Sequence, residues 1–161
     1  MPLKKIIGVI GVSSPDETEY KNAYEAGKLI AQKGFALVTG GMGGVMEAAS
    51  KGAKEAGGTV LGIIPGRDPQ DCNEYVDYSI ATGMSEARNA VIVNTAQAFV
   101  VIGKGLGTLS EIAFALKQGK PVVGLGAWYI IGPSGEKVVT AKDPQEAVSI
   151  LMESNKGNPS P

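Results

Sequence analysis

The chain has no histidine, and its only cysteine is Cys72. Histidine is the commonest general base and the commonest metal ligand, so its absence excludes a Ser-His-Asp triad and a histidine zinc site. A single cysteine can form neither an internal disulfide nor a thiolate-rich metal site, which agrees with a reducing compartment. We therefore expect a cytoplasmic protein with no metal site, in which Cys72 is a small buried or half-buried side chain.

The chain also lacks an excess of charge of one sign and a long apolar run. Its 15 Lys+Arg oppose 16 Asp+Glu, which leaves a formal net charge of −1. Nucleic-acid binding normally requires a broad positive field, so we expect no nucleic-acid partner. No apolar run reaches the roughly 18 residues that a membrane span needs, and Gly8 and Gly11 interrupt the N-terminal one. We therefore predict neither a membrane anchor nor export.

Glycine, in contrast, is abundant, with 23 residues among 161. Without a collagen period, this content indicates tight turns or close backbone contacts, which phosphate-binding folds use. The length fits one domain with a continuous core. We predict a single domain over residues 1–153, followed by a disordered polar tail over residues 154–161.

Short apolar segments rich in Val and Ile alternate with segments of helical periodicity. The apolar runs cover residues 6–12, 36–39, 60–64, 98–102 and 122–125, with a weaker run at 76–80. Such uninterrupted runs are typical of strands buried on both faces of a parallel sheet. Helical segments cover residues 17–33, 44–56, 86–96 and 109–119, and a last helix should begin at Pro144. The alternation predicts an α/β, three-layer, doubly wound Rossmann-like fold with a mostly parallel sheet.

Capping and turn residues indicate where several elements end. Ser14 precedes Pro15 and is the predicted N-cap of the first helix, and Asp143 is the predicted N-cap of the last. Gly34 and Gly119 are expected at helix C-termini. The turn over residues 132–135 predicts a hairpin between residues 128–131 and 137–140.

Three turns rich in glycine or serine follow predicted strands. In open α/β sheets, ligands bind at the carboxyl ends of the strands, where helix N-termini present free N–H groups. Each glycine costs backbone entropy unless a positive φ or a close approach requires it, so the three turns favour a phosphate-bearing ligand over packing alone. The predicted contacts are Gly11, Ser13 and Ser14, then Gly40, Gly41, Met42 and Gly43, and finally Gly103, Lys104, Gly105, Gly107 and Thr108.

Two common nucleotide-binding motifs are absent. No acidic residue ends the strand after either glycine cluster, which disfavours NAD, and no G-x-x-x-x-G-K-[ST] motif occurs, which excludes a P-loop ATPase. The charge of Lys104 opposes the dipole of the helix that follows unless an anion lies between them. Lys104 is therefore either a phosphate contact or a solvated lysine on the outer side of its loop.

Four motifs together carry a family resemblance. They are Gly40-Gly41-Met42-Gly43-Gly44-Val45-Met46-Glu47-Ala48-Ala49, Gly62-Ile63-Ile64-Pro65-Gly66, Thr82-Gly83-Met84 to Arg88-Asn89, and Gly105-Leu106-Gly107-Thr108-Leu109-Ser110-Glu111. The chain resembles the LOG-like Rossmann proteins, long mislabelled lysine decarboxylases. Within them it is most similar to a DprA/Smf-related bacterial branch that also resembles molybdenum-cofactor carrier proteins. The resemblance implies a homodimer or higher homo-oligomer and a small phosphorylated ligand, either a nucleoside monophosphate or a pterin-type molecule, with no obligatory cofactor.

The resemblance also implies roles for individual residues. LOG enzymes cleave the N-glycosidic bond of cytokinin nucleoside 5′-monophosphates and carry P-G-G-x-G-T-x-x-E after an arginine. Arg88 stands fifteen residues before Gly103, at the family's spacing, and Glu111 matches the final glutamate. By resemblance these two residues are the catalytic pair, and Met84 and Asn89 accompany Arg88 in contacting the ligand. Gly103-Lys104 replaces Pro-Gly, and the residues around Arg88 also differ, which a different ligand head group explains.

The chemistry of these residues leaves several functions open. A carboxylate such as Glu111 can stabilise an oxocarbenium-like transition state, whereas Arg88 cannot give up a proton at neutral pH, so Glu86 or solvent would be the acid. Alternatively, Thr108 and Glu111 form a capping box and Arg88 a surface ion pair. We favour binding of a nucleotide or nucleotide-like phosphorylated cofactor. A phosphoribohydrolase that frees a base and ribose 5-phosphate is the first alternative, followed by a molybdenum-cofactor carrier and an interaction protein related to DNA-processing factors.

Overall fold

The structure is a computed structural model that describes residue 3 and residues 5–156. Its strands form one seven-stranded sheet in the order β4-β3-β2-β1-β5-β6-β7, and all neighbouring pairs run parallel. The sheet confirms the predicted α/β Rossmann-like fold. The strands are β1 (Ile6–Gly11), β2 (Ala36–Thr39), β3 (Val60–Ile64), β4 (Tyr78–Ala81), β5 (Ala98–Ile102), β6 (Val122–Leu125) and β7 (Val139–Thr140).

Helices cover both faces of the sheet. Their bounds are α1 (Glu17–Gln32), α2 (Val45–Glu55), α3 (Arg88–Thr95), α4 (Leu106–Lys117) and α5 (Pro144–Lys156), with single 3₁₀ turns at Pro69–Asp71 and Ser85–Ala87. One buried cluster lies between the sheet and α1, α2 and α5, and a second lies between the sheet and α3 and α4. Every residue of β5 is buried, as its uninterrupted apolar run predicts. None of the helices in the described part of the chain is long and apolar enough to cross a membrane.

The helix ends agree with the predicted caps at all but one of the four positions. The N-cap of α1 is Asp16, not Ser14, because Asp16 Oδ1 accepts from the Glu19 N–H at 2.8 Å and Glu19 Oε2 accepts from the Asp16 N–H at 2.9 Å. Asp143 caps α5 as predicted, since its Oδ1 accepts from the Glu146 N–H at 2.8 Å. Gly34 and Gly119 have φ of +83° and +69°, as expected beyond helix C-termini.

The end of the chain differs from the expectation in two places. The predicted hairpin is reduced to one antiparallel bridge between Ile131 and Lys137, because Val139 and Thr140 pair in parallel with β6 instead. Helix α5 continues through Lys156, so the first three residues of the predicted tail are helical. Residues 157–161 lie outside the described part of the chain.

The order of the strands creates one reversal in the winding of the sheet. From β1 the chain moves outward through β2 and β3 to β4, and then returns to place β5 on the other side of β1. At such a switch point the loops after the two central strands diverge to opposite faces and leave a crevice at their carboxyl ends. The fold therefore predicts a ligand site between β1 and β5.

Candidate functional site

A cleft of about 230 Å³ opens at this switch point. Its walls come from the turns after β1, β2 and β5 and from the first turns of α2, α3 and α4. The lining residues are Ile10, Gly11, Val12, Ser13, Gly40, Met46, Arg88, Asn89, Gly105, Leu106, Gly107, Thr108 and Glu111. All three predicted turns therefore contribute to one cavity.

The N-terminus of α4 supplies hydrogen-bond donors to the cleft. Gly105 is the N-cap, and no side chain caps the helix. The Leu109 N–H donates to the Gly105 carbonyl at 2.9 Å, so the amides of Leu106, Gly107 and Thr108 have no acceptor within the helix. Because these residues line the cleft, their amides and the positive end of the helix dipole form an anion-binding surface.

Arg88, the first residue of α3, is held by neutral acceptors. Its Nε donates to the Ile63 carbonyl at 2.8 Å, and its Nη2 donates to the Gly40 carbonyl at 3.4 Å. Its Nη1 donates to the Asn89 side-chain oxygen. Among the residues that the structure describes, no carboxylate oxygen lies within 4.0 Å of the Arg88 guanidinium. The alternative role of Arg88 in a surface ion pair is therefore absent from this part of the chain.

Glu111 is buried, with 6% of its surface exposed, and lines the same cleft as Arg88. Burial raises the pKa of its carboxyl group to about 8, although the nearby Arg88 charge lowers it. Burial also lowers the pKa of Arg88, while the carboxyl groups of Glu111 and Glu86 raise it. At neutral pH the cleft therefore contains a charged guanidinium beside a mostly protonated carboxylic acid.

The structure changes two expectations about Glu111 from the sequence. Helix α4 begins at Leu106, so Thr108 is the third residue of the helix and cannot cap it; the alternative capping box with Glu111 is wrong. A carboxyl group that keeps its proton at neutral pH can also donate it. Glu111 is thus an acid inside the cleft, whereas the exposed Glu86 is not among the lining residues.

Gly40 allows two functional side chains to approach its backbone closely. A Cβ atom at this position would lie 2.5 Å from Met46 Sδ and 2.7 Å from Arg88 Nη2. Both distances are below any real Cβ contact, so a larger residue at this position would require the thioether or the guanidinium to move. The glycine after β2 therefore contributes space to the site.

Three predicted contacts in the turn after β2 lie outside the cleft lining: Gly41, Met42 and Gly43. The Gly41 N–H donates to Thr39 Oγ1 at 3.1 Å, and the Gly41 carbonyl accepts from the Asn73 N–H at 2.8 Å. The Met42 carbonyl accepts from Asn73 Nδ2 at 2.9 Å. These groups bind the protein itself, which sequence spacing could not reveal.

Four further predicted contacts are also outside the lining: Ser14, Met84, Gly103 and Lys104. Gly103 has φ +76°, and a Cβ there would meet Glu19 and Val12, so its role is in the turn. Ser14, Met84 and Lys104 are exposed. The exposure of Lys104 fits a solvated lysine on the loop, and its contact with a phosphate stays a prediction.

Four lining residues were not predicted from the sequence: Ile10, Val12, Met46 and Leu106. All are apolar, and apolar residues near strands and helix starts are expected to enter the core. Leu106 had a usable signal because it lies between two predicted glycine contacts, and it is 80% exposed at the first residue of α4.

Comparisons with known proteins identify the family of this chain. A family model described as the SLOG cluster 4 family matches residues 4–157. A protein of Archaeoglobus fulgidus is 47% identical over 92% of this chain and 95% of its own length. The cytokinin riboside 5′-monophosphate phosphoribohydrolase of Mycobacterium tuberculosis is 33% identical over 76% of this chain and 71% of its own.

A solved structure extends the comparison to nearly the full length. The molybdenum cofactor binding protein of the phototrophic bacterium Rippkaea orientalis superposes with a TM-score of 0.86 at 38% identity. The match covers 95% of this chain and 98% of that protein. The family match over residues 4–157 includes every strand and helix around the cleft.

Proposed function

The chain belongs to the SLOG cluster 4 family, and we propose that it binds a nucleotide or a nucleotide-like phosphorylated cofactor between β1 and β5. The observation that carries the proposal is that two kinds of anion-binding group line one cleft. These groups are the uncapped N-terminus of α4 and the guanidinium of Arg88. A ligand with a phosphate and a polar ring satisfies both.

Two groups of lining residues suit different parts of such a ligand. The amides of Leu106, Gly107 and Thr108, together with the Ser13 hydroxyl, form the first group, which suits a phosphate. Arg88 and Glu111 form the second group, in which a guanidinium and a protonated carboxyl can both donate hydrogen bonds to ring or sugar oxygens and nitrogens. The apolar Leu106 and Met46 side chains can cover the faces of a ring.

The near full-length similarity to a molybdenum cofactor binding protein supports a pterin-type ligand. The residues present fit the organic part of that cofactor, since the donors of α4 suit its phosphate and those of Arg88 and Glu111 suit a ring rich in oxygen and nitrogen acceptors. The function supported by these contacts is binding, and it requires no reaction.

The second candidate is a phosphoribohydrolase that acts on nucleoside 5′-monophosphates. It is favoured by the protonated Glu111 beside Arg88 and by the similarity to the Mycobacterium tuberculosis enzyme. When the C1′–N bond breaks, the departing base takes the proton of Glu111, and the carboxylate that results can accept a proton from the attacking water. Water adds to C1′, so base and ribose 5-phosphate are the products.

Adenosine monophosphate separates these two functions. We expect it to bind the wild-type protein in calorimetry, and Arg88→Met to weaken binding by about tenfold or more because charged hydrogen bonds are lost. Chromatography of the same mixture detects free adenine if the chain is an enzyme, and Glu111→Gln must then abolish its release. Glu153→Gln, an exposed position on α5, is the matched control.

The results decide between the alternatives. Binding without adenine release identifies a binding protein, and mass spectrometry of ligand retained through purification then tests for a pterin. Release of adenine that survives Glu111→Gln excludes Glu111 as the group that protonates the departing base. If neither adenosine monophosphate nor a retained pterin binds, the proposed function is wrong.

A further inference from the structure

Asn89 is one of the few buried polar side chains in the described part of the chain, with 6% of its surface exposed. It follows Arg88 at the start of α3 and lines the cleft. Its side-chain oxygen accepts from Arg88 Nη1, and its Nδ2 donates to the Gly107 carbonyl at 3.5 Å and to Ser110 Oγ at 3.3 Å. The amide thus connects the guanidinium to the first turn of α4.

The acceptors around Arg88 are all uncharged. A guanidinium has five N–H donors, and three of them here bind the carbonyls of Ile63 and Gly40 and the amide of Asn89. Two donors remain, and so does the full positive charge, because no carboxylate within the described residues contacts the group. The ionisable groups that influence it electrostatically are Glu111 on α4, which is mostly protonated at neutral pH, and Glu86 in the preceding turn.

We propose, building on the proposed function, that Asn89 is a positioning residue: it fixes the Arg88 guanidinium relative to α4 with a neutral acceptor and so keeps the charge of Arg88 for an anionic ligand group. An aspartate has nearly the same shape and could hold the guanidinium equally well. Its carboxylate would, however, neutralise the charge of Arg88. It would also place an oxygen against the Gly107 carbonyl, to which the Nδ2 group of Asn89 donates a hydrogen bond. The role therefore depends on the amide being uncharged.

The test is Asn89→Asp, with Asn94→Asp as the matched control. Asn94 lies on the same helix, is exposed, and accepts a hydrogen bond from Gln118 Nε2 at 2.8 Å, which an aspartate can also accept. Calorimetry with adenosine monophosphate and with inorganic phosphate gives the affinities, and thermal unfolding gives the stability. We expect Asn89→Asp to weaken both ligands by about tenfold or more while the control leaves them within about twofold.

A double-mutant cycle distinguishes positioning from a merely structural role. If Asn89 acts through Arg88, Asn89→Ala, which adds no charge to the cleft, weakens binding in the wild type but causes no further loss of affinity in an Arg88→Met background. Equal losses in both backgrounds overturn the proposal, as does an Asn89→Asp variant that binds both ligands like the wild type.

A further measurement needs no ligand. Failure of the wild type to bind either probe would count against the proposed function alone, and this measurement would still test the positioning role. In nuclear magnetic resonance of ¹⁵N-arginine, the Nη groups of a held guanidinium rotate slowly and give separate signals. We expect separate signals for Arg88 in the wild type and in Asn89→Asp, and averaged signals in Asn89→Ala. Identical rotation in Asn89→Ala and the wild type overturns the role.

Discussion

At the scale of single residues, the buried carboxyl of Glu111 links the cleft to the stability of the fold. Its pKa is raised from 4.5 to about 8 by burial, against the lowering effect of Arg88. Below pH 4.5 the group is protonated in both states and has no effect. Between about pH 4.5 and 8 the unfolded chain has lost this proton while the folded chain retains it, so unfolding releases a proton and stability falls as pH rises.

We therefore expect Glu111→Gln to be more stable than the wild type at pH 8, by an amount on the order of 4 kcal/mol if the whole shift is expressed. The difference should shrink toward zero at pH 4.5. Urea unfolding at several pH values measures it, with Glu153→Gln as the exposed control. A constant difference between Glu111→Gln and the wild type from pH 4.5 to 8 would contradict the raised pKa.

The sequence identified candidate residues by type and spacing, but it could not show which of them line the cleft. Arg88 and Glu111 were predicted through a family motif, and both line the cleft. Gly41 matched the motif equally well, yet its amide and carbonyl are bound by Thr39 and Asn73 from the same chain. Spacing cannot tell an amide that faces a ligand from one that closes a turn.

At the scale of helices and strands, α1 and α2 pack unusually closely through two glycines. A Cβ on Gly52 would lie 1.9 Å from the Tyr24 carbonyl oxygen, and one on Gly27 would lie 2.0 Å from the Ala49 carbonyl oxygen. Both contacts are with backbone atoms, which cannot rotate away. The two helices must separate if either glycine gains a side chain. Helix α2 follows the turn that carries Gly40 and includes Met46.

Gly52→Ala should accordingly destabilise the protein, although alanine is the better helix former by about 1 kcal/mol. Overpacking typically costs about 1–3 kcal/mol, and a rigid backbone contact belongs at the upper end of that range. Denaturant unfolding measures the loss, and Lys51→Ala on the same helix, which removes no glycine contact, is the control. A Gly52→Ala variant as stable as the wild type would show that the helices separate at little cost.

Element bounds were predictable where side chains mark them. The apolar runs located six of the seven strands but not β7, and Asp143, Gly34 and Gly119 marked helix ends correctly. Helix α4 was expected at residue 109 but begins at Leu106, because its N-cap is Gly105 and no side chain caps it. No capping residue in the sequence marks the start of α4. The absence of a side-chain cap also leaves the first amides of the helix free to bind an anion.

At the scale of the whole molecule, the cleft exists because three distant segments meet at the switch point. The turns after β1, β2 and β5 are separated by long stretches of sequence, and only the strand order places them together. The fold class could be predicted from alternating apolar and helical segments, since each segment carries its own signal. The apolar lining residues could not be predicted in this way. Ile10, Val12 and Met46 have the character of core residues, and they reach the cleft only through the packing of the complete sheet.

This convergence predicts how a ligand changes the dynamics of the chain. Adenosine monophosphate at about 100 times its dissociation constant should stabilise the fold by about 2.7 kcal/mol, which raises the melting temperature by roughly 5–10 °C. Hydrogen exchange followed by mass spectrometry should slow most at Ser13 and at residues 105–108, because their amides line the cleft. The amide of Gly41, already bonded to Thr39, should change only with the global stability. Protection centred on residues 41–43 instead, with none at the start of α4, would mean that the ligand binds the turn after β2 and that the cleft between β1 and β5 is not its site.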